Sequence, residues 1–283
     1  MKLQIGARLF EGPGPFLMGV VNVTPDSFSD GGRFAEPGTA ADHARALLAE
    51  GADLVDVGGE STRPGAPPVP VEEERRRVVP VIARLRAGGF SLPISVDTSK
   101  PEVARAALDA GADLVNDVQG LSAPGMAELV AERNVPAVLM HMRGTPADMA
   151  TRAIYGDVVE EVAAELEQAL ERAERAGVPR GNVVLDPGVG FAKTAEQSLA
   201  LLAGLGRLRK LGCPLLVGPS RKSFIGALTG AGVAERLSGT LAAVAACVLA
   251  GAEFVRVHDV AAARQAALVA AAIRDAAQRG STA

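Results

Sequence analysis

The stretch GADLVD, residues 51–56, returns as GADLVN at 111–116 and as GAEFVR at 251–256. Each copy opens on a glycine, where a helix stops. A small residue and an acid follow, then an apolar pair suited to a buried strand, then a polar residue where that strand ends. Repetition of a helix end, a strand and a polar terminus points to a chain built from βα units. The copies differ in their last residue, Asp56, Asn116 and Arg256, and that is the position where function would be written.

Outward from these copies the same alternation fills the chain. Apolar runs rich in Val, Leu and Ile lie at 17–23, 54–57, 94–96, 114–118, 137–140, 183–185, 215–217 and 254–257. Between them, segments of helical period lie at 39–50, 72–87, 101–110, 124–133, 157–176, 195–211, 234–250 and 261–278,. The strands are continuously apolar and not alternating, which argues for a parallel sheet buried on both faces. Eight such pairs in 283 residues predict an α/β chain folded as a closed (β/α)8 TIM barrel, a single domain over 1–283,. A short N-terminal segment with turns at Gly6 and Gly12-Pro13-Gly14-Pro15 would cap it. An open doubly wound sheet is the competing architecture.

Composition narrows the partners. The net charge is -4 and the pI near 5.5, so no nucleic acid and no anionic membrane is expected as a partner. Any affinity for phosphate must come from local placement. Cys213 and Cys247 lie in apolar runs without metal-type spacing and read as buried free thiols of a reducing compartment,. The N-terminus has no signal-peptide pattern. The longest uncharged apolar run, 237–252, falls short of the roughly 20 residues that span a membrane. A soluble cytoplasmic protein is expected.

In a barrel the strand ends converge on one mouth. Reading only those ends gives Asn22, Asp56, Asp97, Asn116, Met140 with His141, Asp186, then Lys222, and Arg256 with His258. Turns use Asn and Asp routinely but have no need of Lys, Arg and His, and the chain holds only five lysines and three histidines. Asp97, Asn116 and Asp186 offer acceptors and donors suited to an NH-rich heterocycle. Arg256, His258 and Arg63 suit an anion, and Asn22 is an oxygen ligand for a hard cation such as Mg²⁺. The turn 218–223 leads into a short helix whose first amides suit a carboxylate or phosphate. Other residues read as structural. Asp26 and Asp30 are turn residues, His43 lies on the surface of a helix, and His141 is packed or hydrogen-bonded. Tyr155 is packing, 72–77 is a solvated helix start, and Glu60 pairs with an arginine.

The ordered motifs GVVNVTPDSFSDGG (19–32), GGESTRPG (58–65), SVDTSK (95–100), NDV (116–118), DPGVGFAKT (186–194), GPSRKSF (218–224) and RVHDV (256–260) resemble the dihydropteroate synthase family over almost the whole chain. The resemblance implies an enzyme that joins 6-hydroxymethyl-7,8-dihydropterin diphosphate to para-aminobenzoate and releases diphosphate. Carried over by position, Asp97, Asn116, Asp186 and Lys222 would bond the pterin edge, with Thr62 also in contact. Arg256 would cover the ring face, beside Met140 and Val118 as apolar wall. Asn22, Arg63, Arg256 and His258 would hold diphosphate, Asn22 reaching Mg²⁺. Ser223 would take the aminobenzoate carboxylate, with Phe28, Pro64 and Phe191 as its slot. The resemblance further implies a homodimer formed through outer helices. Asn22 would be the anchored part of the first motif, and 24–34 a cover closing with 61–65. Two rivals stay open: a Schiff-base aldolase using Lys222, with Arg221 lowering the lysine pKa, and a pterin-binding methyl-transfer module.

Overall fold

The pairing of an apolar strand with an amphipathic helix recurs along the chain because neither buries its apolar face alone. A computed structural model of the chain describes residues 1–24 and 37–280. A hairpin of β1 (Lys2–Ile5) and β2 (Arg8–Glu11) leads into β3 (Phe16–Asn22). Then follow α1 (Pro37–Ala49), β4 (Leu54–Gly58), α2 (Val71–Ala87), β5 (Ile94–Asp97), α3 (Pro101–Asp109), β6 (Leu114–Asp117) and α4 (Met126–Arg133). The second half runs β7 (Ala137–Met140), α5 (Val158–Arg175), β8 (Val183–Asp186), α6 (Ala195–Ala203), α7 (Leu205–Arg209) and β9 (Leu216–Val217). It ends with α8 (Ser223–Thr229), α9 (Leu237–Leu249), β10 (Phe254–Val257) and α10 (Val260–Gly280).

The eight-stranded sheet runs β8-β7-β6-β5-β4-β3-β10-β9, all parallel. A further parallel bridge between Leu185 and Leu215 closes β8 onto β9. The expected barrel is therefore the observed one. Strand periodicity sends Leu17, Val21, Val55, Val57, Ile94 and Val96 outward to the helices. It sends Met18, Leu54, Leu114, Val138, Val184, Leu216 and Phe254 into the lumen.

The lower end of the lumen is closed by the hairpin, whose Leu3, Ile5 and Phe10 join that inner cluster. Phe10 meets Phe16 edge-on at 5.0 Å and Phe254 at 5.4 Å. The opening segment does cap the barrel, though its two strands carried too few residues to be read from periodicity.

The repeated motif explains itself at this end. Gly51, Gly111 and Gly251 have φ of +98°, +109° and +90°, the left-handed region where a helix turns back and glycine is favoured. The acid two residues on caps the neighbouring strand: Asp53 accepts from Leu17 N at 2.8 Å, Asp113 from Ile94 N at 2.9 Å, and Glu253 from Leu215 N at 2.9 Å. Arginines pair with the same acids, Arg8 and Arg264 with Asp53, and Arg86 with Asp113.

Some expectations need correction. The helix expected over 195–211 is two, broken at Gly204, where a Cβ would lie 2.7 Å from Val159 of α5. The strand expected over 215–217 keeps only Leu216–Val217 as ladder, with Leu215 in the closing bridge. The helix expected from 234 begins at Leu237, after a 3-10 turn at Val233–Glu235. His43 is half-buried in α1, not on the surface, and burial lowers its pKa.

Candidate active site

Strand parity that fills the lower lumen with apolar residues places polar ones above them. Asp56 of β4 and Asn116 of β6 are buried side by side, the Asn116 amide donating to Asp56 Oδ2 at 2.9 Å. Arg256 of β10 reaches across, its Nε to Asp56 Oδ2 at 2.7 Å and its Nη2 to Asp97 Oδ2 at 2.8 Å. Asp186 ends β8, and its Oδ1 accepts the Gly188 N–H at 2.7 Å. Asp97, Asn116 and Arg256 thus form one bonded floor through Asp56. Asp186 and Lys222 act on it electrostatically.

The floor is held in electrical tension. Burial, reinforced by the charge of Asp56, pushes the Asp97 carboxyl up to about 8, with Arg256 opposing. Burial likewise raises Asp186 to about 6 against the Gly188 amide, Lys222 and Arg256. Lys222 is pulled down to about 8 by burial, with Asp186 resisting and Arg256 assisting. Arg221 does not act on Lys222 as expected, because its guanidinium pairs with Asp259 at 2.7 Å. Two carboxyls near neutrality and an unpaired Asp56 Oδ1 make a surface short of donors. A flat ring with several N–H groups supplies them.

The other expected residues differ in burial and in the contacts that hold them. Met140 and Val118 are buried beside it, as an apolar wall requires. The ammonium of Lys222 sits 3.8 Å from the ring centroid of Phe191. His258 is held by Ser220, with Oγ to Nδ1 at 2.9 Å, and the same Oγ accepts the His258 backbone N–H at 3.2 Å. Burial, then Arg256 and Arg221, push His258 down to about 3, so it is neutral at pH 7. In the tautomer where the Ser220 hydroxyl donates to Nδ1, the ring proton sits on Nε2 and Nε2–H is the donor,. Asn22 ends β3 in register with Gly58, whose Cα faces Asp97 across β4–β5.

The second loop, 59–70, follows β4. Thr62 is half-buried, while Arg63 and Pro64 are exposed. Among the described residues Arg63 makes no side-chain hydrogen bond, and Gly65 N ties the loop to Pro146 O at 2.9 Å. Ser223 is exposed as the first residue of α8. Phe28, with Asp26, Asp30 and most of the expected cover over 24–34, lies outside the described residues.

Several partners went unread in the sequence. His141 is packed and bonded as expected, but through Glu165 at 2.9 Å and through Lys193, whose Nζ lies 2.9 Å from Nδ1. Lys193 also donates to Phe191 O at 2.9 Å and is pulled to about 7 by burial. Tyr155 packs as expected, under Arg143 at 3.9 Å. Glu60 pairs with Lys100, not with an arginine. The charge run 72–77 is not wholly solvated, because Glu74 is fully buried against Lys100. The available signal was lysine scarcity, since Lys100 and Lys193 both fall within the motifs SVDTSK and DPGVGFAKT.

A Mg²⁺ site built only from protein is not what these residues offer. Among the described residues no three His, Cys, Asp or Glu side chains group to hold an ion. A lone Asn22 oxygen fits an ion that arrives on a substrate's phosphates with waters retained.

The pterin binding enzyme family matches residues 18–258. A dihydropteroate synthase of Synechocystis sp. is 46% identical over 96% of this chain and 94% of its own. A structure of dihydropteroate synthase from Xanthomonas albilineans with 4-aminobenzoic acid superposes with a TM-score of 0.90 at 50% identity, covering 96% of this chain and 98% of that one. Another from that organism, in complex with 7,8-dihydropteroate, gives 0.87 at 47% identity over 97% and 99%. The fold and site define a pterin-binding barrel enzyme. More narrowly, the chain belongs to the dihydropteroate synthase family.

Proposed function

We propose that this chain condenses 6-hydroxymethyl-7,8-dihydropterin diphosphate with para-aminobenzoate, giving 7,8-dihydropteroate and diphosphate in folate biosynthesis. The observation that carries the reading is the floor of Asp56, Asp97, Asn116 and Arg256, with Asp186 and Lys222 beside it. Its acceptors match the guanidine-like edge of a pterin by parallel, charge-assisted bonds. Donation from that edge supplies what two destabilised carboxyls lack, so ligand binding favours the charged forms of Asp97 and Asp186,. Thr62 adds a contact, Arg256 covers the ring, and Met140 and Val118 fill against it.

The C–O bond between the pterin methylene and diphosphate breaks with its electron pair leaving on diphosphate. The methylene cation is stabilised by the electron-rich ring above the acids. Arg63, Arg256 and the Nε2–H of His258 meet the negative charge as it grows. A Mg²⁺ carried on the diphosphate and touched by the Asn22 oxygen would neutralise part of the same charge. The arylamine nitrogen then bonds the methylene and gives up one proton to solvent. It needs placement more than activation, with Ser223 holding its carboxylate and Pro64, Phe191 and Phe28 its ring. No covalent enzyme intermediate forms. Lys222 lies over the Phe191 ring and feels the charge of Asp186, with no carbonyl-handling neighbour among the described residues, which favours this reading over an aldolase.

Exposed Leu249 of α9 and Leu268, Val269 and Ile273 of α10 form an apolar outer face, which supports a homodimer through these helices. Among the described residues no helix is long and apolar enough to cross a membrane, which supports a cytoplasmic setting. Diphosphate release that depends on added para-aminobenzoate tests the function. Binding of methyltetrahydrofolate without such release would replace it with the methyl-transfer reading.

A further inference from the structure

We infer that Lys100, held between Glu60 and Glu74, is a positioning residue that fixes the second loop so that Arg63 meets the diphosphate. The inference rests on the function proposed above and adds residues for which that function leaves no contact with substrate. Lys100 and Glu60 lie in SVDTSK and GGESTRPG, two of the motifs by which the chain resembles the family.

The geometry concentrates three charges at the stem of the loop. Lys100 Nζ bonds Glu74 Oε2 at 2.5 Å and also bonds Glu60 Oε2. Glu60 Oε1 accepts the Val69 N–H at 3.3 Å, so one carboxylate gathers both ends of the segment that carries Thr62, Arg63 and Pro64. Arg77 of α2 donates to Gly59 O at 2.9 Å. Gly59 is pressed onto α2 so closely that a Cβ would lie 2.8 Å from Val78 and 3.1 Å from Glu74. The stem is thus clamped while the tip is exposed.

Along the chain the clamp adjoins the pterin floor, with no hydrogen bond to it among the described residues. Lys100 follows Asp97 by three residues and ends the turn after β5. Glu74 is 0% exposed and its Oε1 has no hydrogen-bond partner. A buried carboxylate is kept charged by a close cation, and among the described residues Lys100 is the cation bonded to it. Without Lys100, Glu74 must take a proton or shift, and either change frees Glu60 and the loop stem. A displacement of about 1 Å at a group that meets the transition state costs on the order of a hundredfold in rate.

The parent chain is assayed first. Absence of para-aminobenzoate-dependent diphosphate release there would sink the functional reading, separately from the clamp. With an active parent, Lys100→Met should lower kcat/KM for the pterin diphosphate by about tenfold or more. The Kd for 6-hydroxymethylpterin, which lacks the diphosphate, should stay within about threefold, since the floor that binds it is untouched. Lys100→Arg should recover most of the loss. Glu60→Gln keeps an acceptor for Val69 N–H but removes the charge facing Lys100, and should fall in the same direction by a smaller factor. Unchanged turnover in Lys100→Met and Glu60→Gln would overturn the inference, as would equal loss of pterin affinity and turnover. If Lys100→Met does not fold, Glu60→Gln decides.

Discussion

Asp97 shows how a binding residue weakens the molecule that carries it. Its carboxyl sits at about 8 in the fold against an ordinary 3.8. Between those values the folded chain holds a proton that the unfolded chain releases, so this group subtracts stability as pH rises through the window. Asp97→Asn removes that penalty. The melting temperature of the variant relative to the parent should climb from pH 4 to pH 8 while pterin binding collapses. About 1 kcal/mol moves the midpoint of a chain this long by about 2–4 °C, so the trend is measurable; a constant difference across pH would refute it. Asp97, Asn116, Asp186, Lys222 and Arg256 were legible because each ends a recognisable strand or follows it closely. Glu74 and Lys193 were not, because their burial depends on which helix face or loop packs on them, and no local pattern encodes that.

At the scale of elements, periodicity found every barrel strand and helix because both sheet faces are buried. It failed where neighbours decide the outcome. The break at Gly204 follows from Val159 on another helix, and the hairpin β1–β2 shows only alternate burial along four-residue strands. The hairpin is nonetheless a structural plug. Phe10, 1% exposed among Phe16 and Phe254, should cost about 3–5 kcal/mol when changed to Ala. Denaturant unfolding would register this as a lower midpoint, with the loss spread over the whole barrel and not confined to the hairpin. An unchanged midpoint would mean that the lower lumen is sealed by the strands alone. The acids of the repeated motif were visible in the sequence, but their task as acceptors for the preceding strand's amide was not. That pairing crosses from one βα unit to the one before it, and no pattern within a single unit encodes it.

For the whole molecule, the apolar face on α9 and α10 should hold two copies together. Val269→Glu, at a site 62% exposed, should convert a dimer to a monomer in light scattering while leaving the fold intact, since it touches no core position. An unaltered mass would place the contact elsewhere. Barrel closure also bears on how the chain is made. β10 lies between β3 and β9, and Arg274 of α10 bonds Pro13 O across 261 residues of sequence. Translation at about 5–20 residues per second leaves one edge of β3 without its partner for roughly ten to fifty seconds on the ribosome. Through that interval the first barrel strand is finished, apolar and open along one side. The nascent chain therefore presents that edge to other chains until its last strand emerges, and the speed of synthesis sets how long the exposure lasts,.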